Sequence, residues 1–552
     1  MKVYEGLAKA FVAEGATSVF GMMGDGNMYW MEALHDLGVN LLEVRHEGAG
    51  LGMADGWARV TNTPGVCTAT CGPGVTQLAT ALVTAARARS PLVAFVGESP
   101  TTDEEYSQRY DQSRFAEACE AGFVRVLSAD QAYDAVRRAF YLAKLESRPI
   151  LLSAPMDTQQ LNMEDDEEYV ASSAVMPADL VAPNPRALER AVDLIANAQR
   201  PVLVVGRGAY FSTGAGAAAL RLARRIGALI ATTLQAKNWL AQEEREFYAG
   251  ISGFYGTRAA MELFQEADVV IGVGASLNRY TTEQGYLYPN AKYVHLDVRP
   301  HVLMGGGKAA DVYIHADARL GLEGLETVLA LRGYSATGFR TPEVKQRLVN
   351  QHADTAEFPI ESDRVDPREV CLALEETVPT DVQLVLGSGA SAGFSTMLFN
   401  KPERAVLAGH WFGCIGQMLP AAMGALVAHG NKPTMLLDGD ASVIMHLAEL
   451  ETAVRYEMPL LVTVLNDQAL GSEYHKMKSH NRQAELATIP TPDLGLVAQA
   501  FGGRGKLATT VDDVRAAASE WVAQKGLMVI DARISRSVVT IPYRRIHYGR
   551  DD

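Results

Sequence analysis

Two acidic residues one crossover apart, Asp440 and Asp467, carry the strongest chemical signal in the chain. They lie in the stretch LLDGDASVIMHLAELETAVRYEMPLLVTVLNDQALGSEY, Leu436 to Tyr474. Pro433 to Leu437 reads as a buried strand, and Asp438 to Ser442 as a tight acidic turn. Met445 to Tyr456 reads as a helix with Leu447, Leu450, Ala453 and Val454 on one face. Pro459 stops that helix. Leu460 to Leu465 is a second apolar strand, ending in Asn466-Asp467 and a loop through Gly471. A β-α-β unit of this length delivers both aspartates to the carboxyl ends of its strands, where open α/β sheets bind ligands. Two carboxylates, a loop carbonyl and the oxygens of a diphosphate suit Mg²⁺, which prefers octahedral oxygen and shares its shell with phosphates. The plainer alternative is an ordinary βαβ unit with an acidic turn.

Glu47 is a third acid of interest. It closes a strand and opens a helix in VRHEGAGLGMADGWAR, where the helix dipole favours a carboxylate. Two glycine loops also follow strands: TCGPGVTQ, Thr70 to Gln77, and Gly387-Ser388-Gly389-Ala390-Ser391. Backbone N–H groups of the second could hold diphosphate oxygens.

The elements that must position these residues repeat as βα units, which predicts α/β architecture with parallel sheets covered by helices on both faces. Strands are expected at Val19–Gly21, Leu41–Val44, Val66–Thr70, Leu92–Gly97 and Ile150–Ser153, then at Pro201–Val205, Ala228–Thr232, Val269–Val273 and Tyr293–Leu296. Val382 to Leu386 opens a third block. An acidic, proline-containing stretch over 159–185 and a polar one over 335–365 read as linkers. The expected division is therefore three doubly wound parallel-sheet domains over 1–165, 186–335 and 366–552. GRGAYFSTGAG in the second is glycine-rich but is not a clean dinucleotide fingerprint.

The length of 552 residues allows three or four domains, and 48% hydrophobic with 21% charged residues describes a globular protein with ample core. A formal net charge of −15 argues against nucleic acid or an anionic membrane as partner. The five cysteines show no zinc spacing, and their odd number suggests reduced thiols. The N-terminus lacks a signal-peptide core and no apolar run reaches a membrane span, so a cytoplasmic location is the expectation.

In combination these motifs resemble the thiamine-diphosphate (ThDP) enzymes of the acetolactate synthase, pyruvate decarboxylase and benzoylformate decarboxylase superfamily. That family's Gly-Asp-Gly, spacer, Asn-Asn signature reads here as Gly439-Asp440-Ala441-Ser442 and Asn466-Asp467, with Asp in place of the second Asn. The resemblance implies Mg²⁺ ligands Asp440, Asp467 and the carbonyl of Ala469, with Asn466 as ligand if the register slips by one. It places Gly471 beside the diphosphate. RHE-x-x-A-x-x-x-A-D-G-Y-A-R matches around Glu47, with Gly50 and Trp57 as departures. In the family this Glu shares a proton with the aminopyrimidine ring, so that the exocyclic amine can take the proton of the thiazolium carbon. The Thr70–Gln77 loop resembles S-G-P-G-x-x-N and implies cofactor contacts from Gly72, Gly74 and Gln77. Ala390 and Ser391 fall on the diphosphate loop. GHWFGCIGQMLPAAMGA resembles G-x-M-G-x-x-L-P-A-A-I-G-A, which makes Ile415 the wedge that bends ThDP and puts the Gly413 backbone against the pyrimidine.

The same resemblance bears on substrate. GMMGDGN places Asp25 at a proton-transfer position of pyruvate decarboxylases, and Glu473 takes the place of a second acid. Their His-His pair is missing from TTDEEYSQRYDQSRF, where Gln112 stands at the substrate-side Gln of acetolactate synthases. His46, His410, His446 and His475 are further candidates. The implied activity is decarboxylation of a short 2-oxo acid such as pyruvate, with carboligation to a carbonyl acceptor. The rivals are plain 2-oxo acid decarboxylation and a catalytically silent ThDP-fold binding protein. The flavin-side D-D-R-x-x-G of acetolactate synthases has no match in Gly274–Thr281, GASLNRYT, so FAD is left open. Because ThDP must touch the first and third domains, the family's arrangement implies a homodimer at minimum and a homotetramer as the expected assembly.

Overall fold

The computed structural model describes residues 1–164, 168–175, 180–299, 310–349, 354–409 and 411–549. Three six-stranded sheets account for the strands, and the paired strands run parallel. The first holds β1 (Ser18–Gly21), β2 (Asn40–Glu43), β3 (Gly65–Ala69), β4 (Leu92–Glu98), β5 (Gly122–Arg125) and β6 (Pro149–Pro155), in the order β2-β1-β3-β4-β6-β5. The second holds β7 (Pro201–Val205), β8 (Leu229–Thr232), β9 (Tyr248–Ile251), β10 (Val269–Val273), β11 (Lys292–Asp297) and β12 (Val312–His315), in the order β12-β11-β10-β7-β8-β9. The third holds β13 (Gln383–Leu386), β14 (Val406–Ala408), β15 (Thr434–Gly439), β16 (Leu460–Asn466), β17 (Arg504–Ala508) and β18 (Met528–Arg533), in the order β14-β13-β15-β16-β18-β17. Central strands such as β16 are buried along their whole length, as expected for parallel strands covered on both faces.

The chain forms two compact units, one of residues 1–177, 360–392 and 409–538, the other of residues 178–359, 393–408 and 539–552. The second unit is built on β7–β12, with Leu203, Ile271, Leu296 and Leu322 in its core. In the first unit, Phe11, Trp30, Phe95 and Phe140 pack edge-to-face or stacked beneath β1–β6. Two helices of this unit lead away from the candidate site loops: α1 (Glu47–Thr61), and a glycine- and alanine-rich helix at Met418–Ala428. They touch backbone to backbone. A Cβ on Gly424 would lie 1.8 Å from the Met53 carbonyl oxygen, and one on Gly56 2.0 Å from that of Ala421. Only glycine permits this approach, which ties the Glu47 loop to the Gly413–Gln417 loop within one chain.

Four local expectations are corrected. Strand β15 continues through Gly439, and a helix begins at Asp440 in place of the acidic turn. Gly439 has the extended backbone of an N-cap, and the Asp440 carboxylate suits the first helical turn. The helix expected over Met445–Tyr456 is broken at His446, whose backbone leaves the helical region, and resumes at Glu449. Both residues are drawn inward, Glu449 to the Arg45 N–H and the Thr452 hydroxyl. The first linker is not free chain, because the Tyr169 hydroxyl and the Ser172 N–H and hydroxyl all donate to Glu14. The 335–365 stretch contains a helix at Pro342–Val349. Residues 165–167, 176–179 and 350–353 of the two linkers lie outside the described residues. All five cysteines are free thiols.

Candidate active site

Register sets the metal end of the site. β15 and β16 pair from Thr434↔Leu460 to Gly439↔Leu465, so Asp440 and Asp467 leave neighbouring strands at the same edge. Asp440 opens α2 (Asp440–Met445) and is 2% exposed; its Oδ2 accepts the Thr491 hydroxyl at 2.5 Å. Asp467 is half-buried, and its Oδ1 accepts the Ala469 N–H at 3.0 Å. Burial raises both carboxyls above the ordinary range, and the charge of Asp440 helps to push Asp467 to about 7. Neither carboxylate makes an ion pair among the described residues, and two acids facing one another in this way suit a hard divalent cation. No cluster of three or more His, Cys, Asp or Glu side chains among those residues can hold a metal by itself. A metal held here would need backbone and ligand oxygens to complete its shell. Asn466 is turned inward. It donates to Asp531 at 2.8 Å and accepts from the Gln468 N–H, so Asp467 and not Asn466 faces Asp440.

Closely packed glycines adjoin this pair. A Cβ on Gly471, the first residue of α3 (Gly471–Ser479), would meet Asp467 Oδ2 at 2.7 Å and Ala390 Cβ at 3.2 Å. A Cβ on Gly439 would lie 3.1 Å from the Ser391 hydroxyl. The loops are joined by a residue the motif search left out, Asp438. It accepts from the Ser388 N–H at 3.2 Å, the Gly439 N–H at 2.9 Å and the Ser442 hydroxyl at 2.5 Å. Ser442 in turn accepts the Gly416 N–H at 2.8 Å, which fixes the loop of exposed Gly413 and half-buried Ile415. Ala441 lies half-buried in the first turn of α2. Glu473 is exposed in the first turn of α3.

The second cluster lies at the carboxyl ends of β1, β2, β3 and β4. His46 caps α1 by accepting the Gly48 N–H, and the half-buried Glu47 carboxylate points toward the Thr70–Gln77 turn, 3.4 Å from where a Gly74 Cβ would sit. Glu47 has no hydrogen-bond or ion-pair partner among the described residues. Gly72 takes a positive φ of 62° under Gln108, whose Oε1 accepts from the Cys71 thiol at 2.9 Å. Exposed Asp25 is near enough to raise Cys71 and the Tyr106 hydroxyl electrostatically, though burial is the larger cause at both. Gln77 is exposed at the end of the turn. Gln112 does not join this cluster. It is buried, its amide donating to the Gly97 carbonyl at 2.9 Å and accepting the Ser153 hydroxyl at 3.1 Å. Gln108 is the glutamine that reaches the glycine loop.

The two clusters meet through histidines. His46 packs edge-on against His446 at 5.5 Å, and His446 lies 3.3 Å from the Gln417 amide. Burial, and then His46, lower His446 to about 4, so it is neutral at physiological pH. His475 is buried on α3, and His410 lies outside the described residues.

Three family models match the chain in order. They are described as the N-terminal TPP binding domain, the central domain and the C-terminal TPP binding domain of thiamine pyrophosphate enzymes, over residues 1–118, 188–325 and 387–532. The chain belongs to the ThDP-dependent enzymes. A probable acetolactate synthase large subunit of Methanocaldococcus jannaschii is 27% identical over 546 residues, 96% of this chain and 91% of that protein. The acetolactate synthase isozyme 2 large subunit of Escherichia coli is 28% identical, covering 95% and 94%. A sulfoacetaldehyde acetyltransferase of Castellaniella defragrans is 27% identical, covering 92% and 88%. The donor set fits ThDP: the first domain presents a partnerless carboxylate beside a glycine turn, and the third a glycine cradle beside two carboxylates. No helix of the described residues is long and apolar enough to cross a membrane.

Proposed function

We propose that this ThDP enzyme decarboxylates a short 2-oxo acid and joins the acyl unit to a carbonyl acceptor, as the name acetolactate synthase describes for its relatives. The observation that carries the proposal is the facing pair Asp440–Asp467 beside the Gly387–Ser391 loop, together with a free Glu47 at the glycine turn. Mg²⁺ would be held by Asp440, Asp467 and the Ala469 carbonyl, and the diphosphate by Ala390, Ser391, Gly439–Ser442 and Gly471. When bound, ThDP supplies a carbon nucleophile and an electron sink for loss of CO₂. Glu47 holds a proton at the pyrimidine end, beside Gly72 and Gly74. Ile415 and the Gly413 backbone orient the ring. Gln108 and Asp25 stand on the loops that would border the substrate.

The acetyltransferase among the relatives supports acyl transfer over simple aldehyde release. Asp25 and Glu473 favour a second reading, plain 2-oxo acid decarboxylation, since either acid could protonate the acyl carbon. We further propose that the chain works as a homodimer or a dimer of dimers. The test is product analysis. Mg²⁺-ThDP should raise the melting temperature, and pyruvate should then give CO₂ and an acetoin-type or acetohydroxy acid product, alone or with benzaldehyde as acceptor. Aldehyde alone would select the second reading. Absence of any ThDP-dependent thermal shift would refute both.

A further inference from the structure

We propose that Arg536 is a cationic anchor for the terminal phosphate of the bound diphosphate, offsetting the charge that Asp467 adds where the family signature has a neutral asparagine. The inference rests on the cofactor placement proposed above. Arg536 follows β18, and the segment is pinned to the site edge of the sheet: the Ile534 N–H donates to the Asn466 carbonyl and the Ser535 N–H to that of Val365, both at 3.0 Å. Its guanidinium lies 5.4 Å from the centre of the Tyr474 ring, in the first turn of α3, the helix that Gly471 opens against Asp467. Its charge acts on Asp467.

Among the described residues Arg536 has no hydrogen-bond or ion-pair partner, and its Nη1 is buried without an acceptor. Other arginines of the same compact unit are committed: Arg533 to Asp531 and the Thr491 carbonyl, Arg368 to Asp366, Arg59 to Asp55. A buried charged donor left without an acceptor is costly, so the position implies an anionic oxygen that the described residues do not supply. Charge balance points the same way. Two aspartates and a diphosphate exceed the charge of one divalent cation, and Arg536 is an unengaged positive group on the segment that follows β18. The planar fork of arginine suits phosphate oxygens.

The test uses the full-length protein with Mg²⁺ and three probes: ThDP, thiamine monophosphate and thiamine, with binding read by calorimetry or tryptophan fluorescence. Arg536→Met should raise the ThDP Kd on the order of tenfold or more, the scale of a lost charge-assisted hydrogen bond. Thiamine, which has no phosphate, should bind both proteins equally. Arg536→Lys should recover part of the loss, which separates missing charge from disturbed packing. An unchanged ThDP Kd in Arg536→Met overturns the proposal. So does an unchanged Kd with a raised KM for the 2-oxo acid, which would assign Arg536 to the substrate carboxylate. If the parent protein itself fails to bind Mg²⁺-ThDP, the cofactor placement fails first.

Discussion

Asp438 accepts the hydroxyl of Ser442 at 2.5 Å, and the same Ser442 oxygen receives the Gly416 amide at 2.8 Å. This buried pair thus joins the Gly387–Ser391 loop, through Ser388, to the loop that carries Gly413 and Ile415. Neither residue is placed to react. Their role is to hold two loops from distant parts of the sequence in one geometry, so cofactor affinity depends on them.

Ser442→Ala should leave both Asp438 Oδ2 and the Gly416 N–H without their partner. The expected cost is about 1–3 kcal/mol, since a buried polar group is left unsatisfied. ThDP should bind more weakly, and the Gly416 amide should exchange faster with solvent. Parent-like protection at Gly416 and parent-like ThDP affinity would remove the hub.

How much of this was legible in the sequence depended on whether the signal was local. Strands β7, β10, β15 and β16 announce themselves because all-buried strands are unbroken apolar runs. Edge strand β17, Arg504–Ala508, is mixed and partly exposed, and β5, Gly122–Arg125, is short and alternates buried with more exposed positions; both were passed over. Asp440 and Asp467 could be read because strand ends fix them. Asp438 could not, because its partners lie on three turns and meet only in the fold. The inward turn of Gln112 has a local cue. Asp111 is an N-cap, accepting from Ser113 and Arg114, so Gln112 begins a helix and turns inward while Gln108 stays on the loop. Arg536 belongs to no quoted motif and is identified only by its lack of a partner.

Cofactor binding should depend on pH with a definite sign. Asp467 is raised to about 7 and Asp438 to about 6, both chiefly by burial. A carboxyl raised on folding binds its proton more tightly in the folded state. Its stabilising contribution is therefore present at low pH and lost as pH climbs from the ordinary carboxyl range through the folded value. Mg²⁺ must displace the Asp467 proton, so Mg²⁺-dependent ThDP affinity should rise between pH 6 and 8, by up to about tenfold per unit below the folded value. Calorimetry in buffers of different ionisation enthalpy should detect proton release. A flat profile without release would count against Asp467 as a ligand.

Glu47→Gln should keep the fold, because the carboxylate has no partner among the described residues to lose. ThDP binding should persist, since the diphosphate cradle is untouched. Turnover should fall by at least ~10²-fold, the scale of positioned acid–base catalysis. Near-parent turnover would reassign Glu47 to a helix-start carboxylate.

Asp25 and Glu473 are exposed acids on opposite clusters. If they handle protons after CO₂ leaves, Asp25→Asn and Glu473→Gln should slow aldehyde release more than carboligation, because only the former needs a proton at the acyl carbon. Measuring both products from one reaction gives the ratio directly. An unchanged ratio in both variants would leave them as binding or surface groups.

Assembly is testable by mixing two inactive proteins. Glu47 belongs to the first sheet and Asp440 and Asp467 to the third, and within one chain no hydrogen bond or ion pair joins Glu47 to either aspartate. The His46–His446 contact lies at the far end of α2 from Asp440, so a six-residue helix of about 9 Å intervenes. In the proposed dimer the first domain of one chain would offer Glu47 to the pyrimidine and the third domain of another Asp440 to the diphosphate, and two-fold symmetry would make two equivalent sites. Glu47→Gln chains and Asp440→Ala chains should each be inactive alone. After subunit exchange, a mixed dimer would hold one site with both lesions and one with neither. Activity should return to about half per mixed dimer by this symmetry. Labelled chains should confirm exchange by mass. If exchange is complete and no activity returns, each site is built within a single chain.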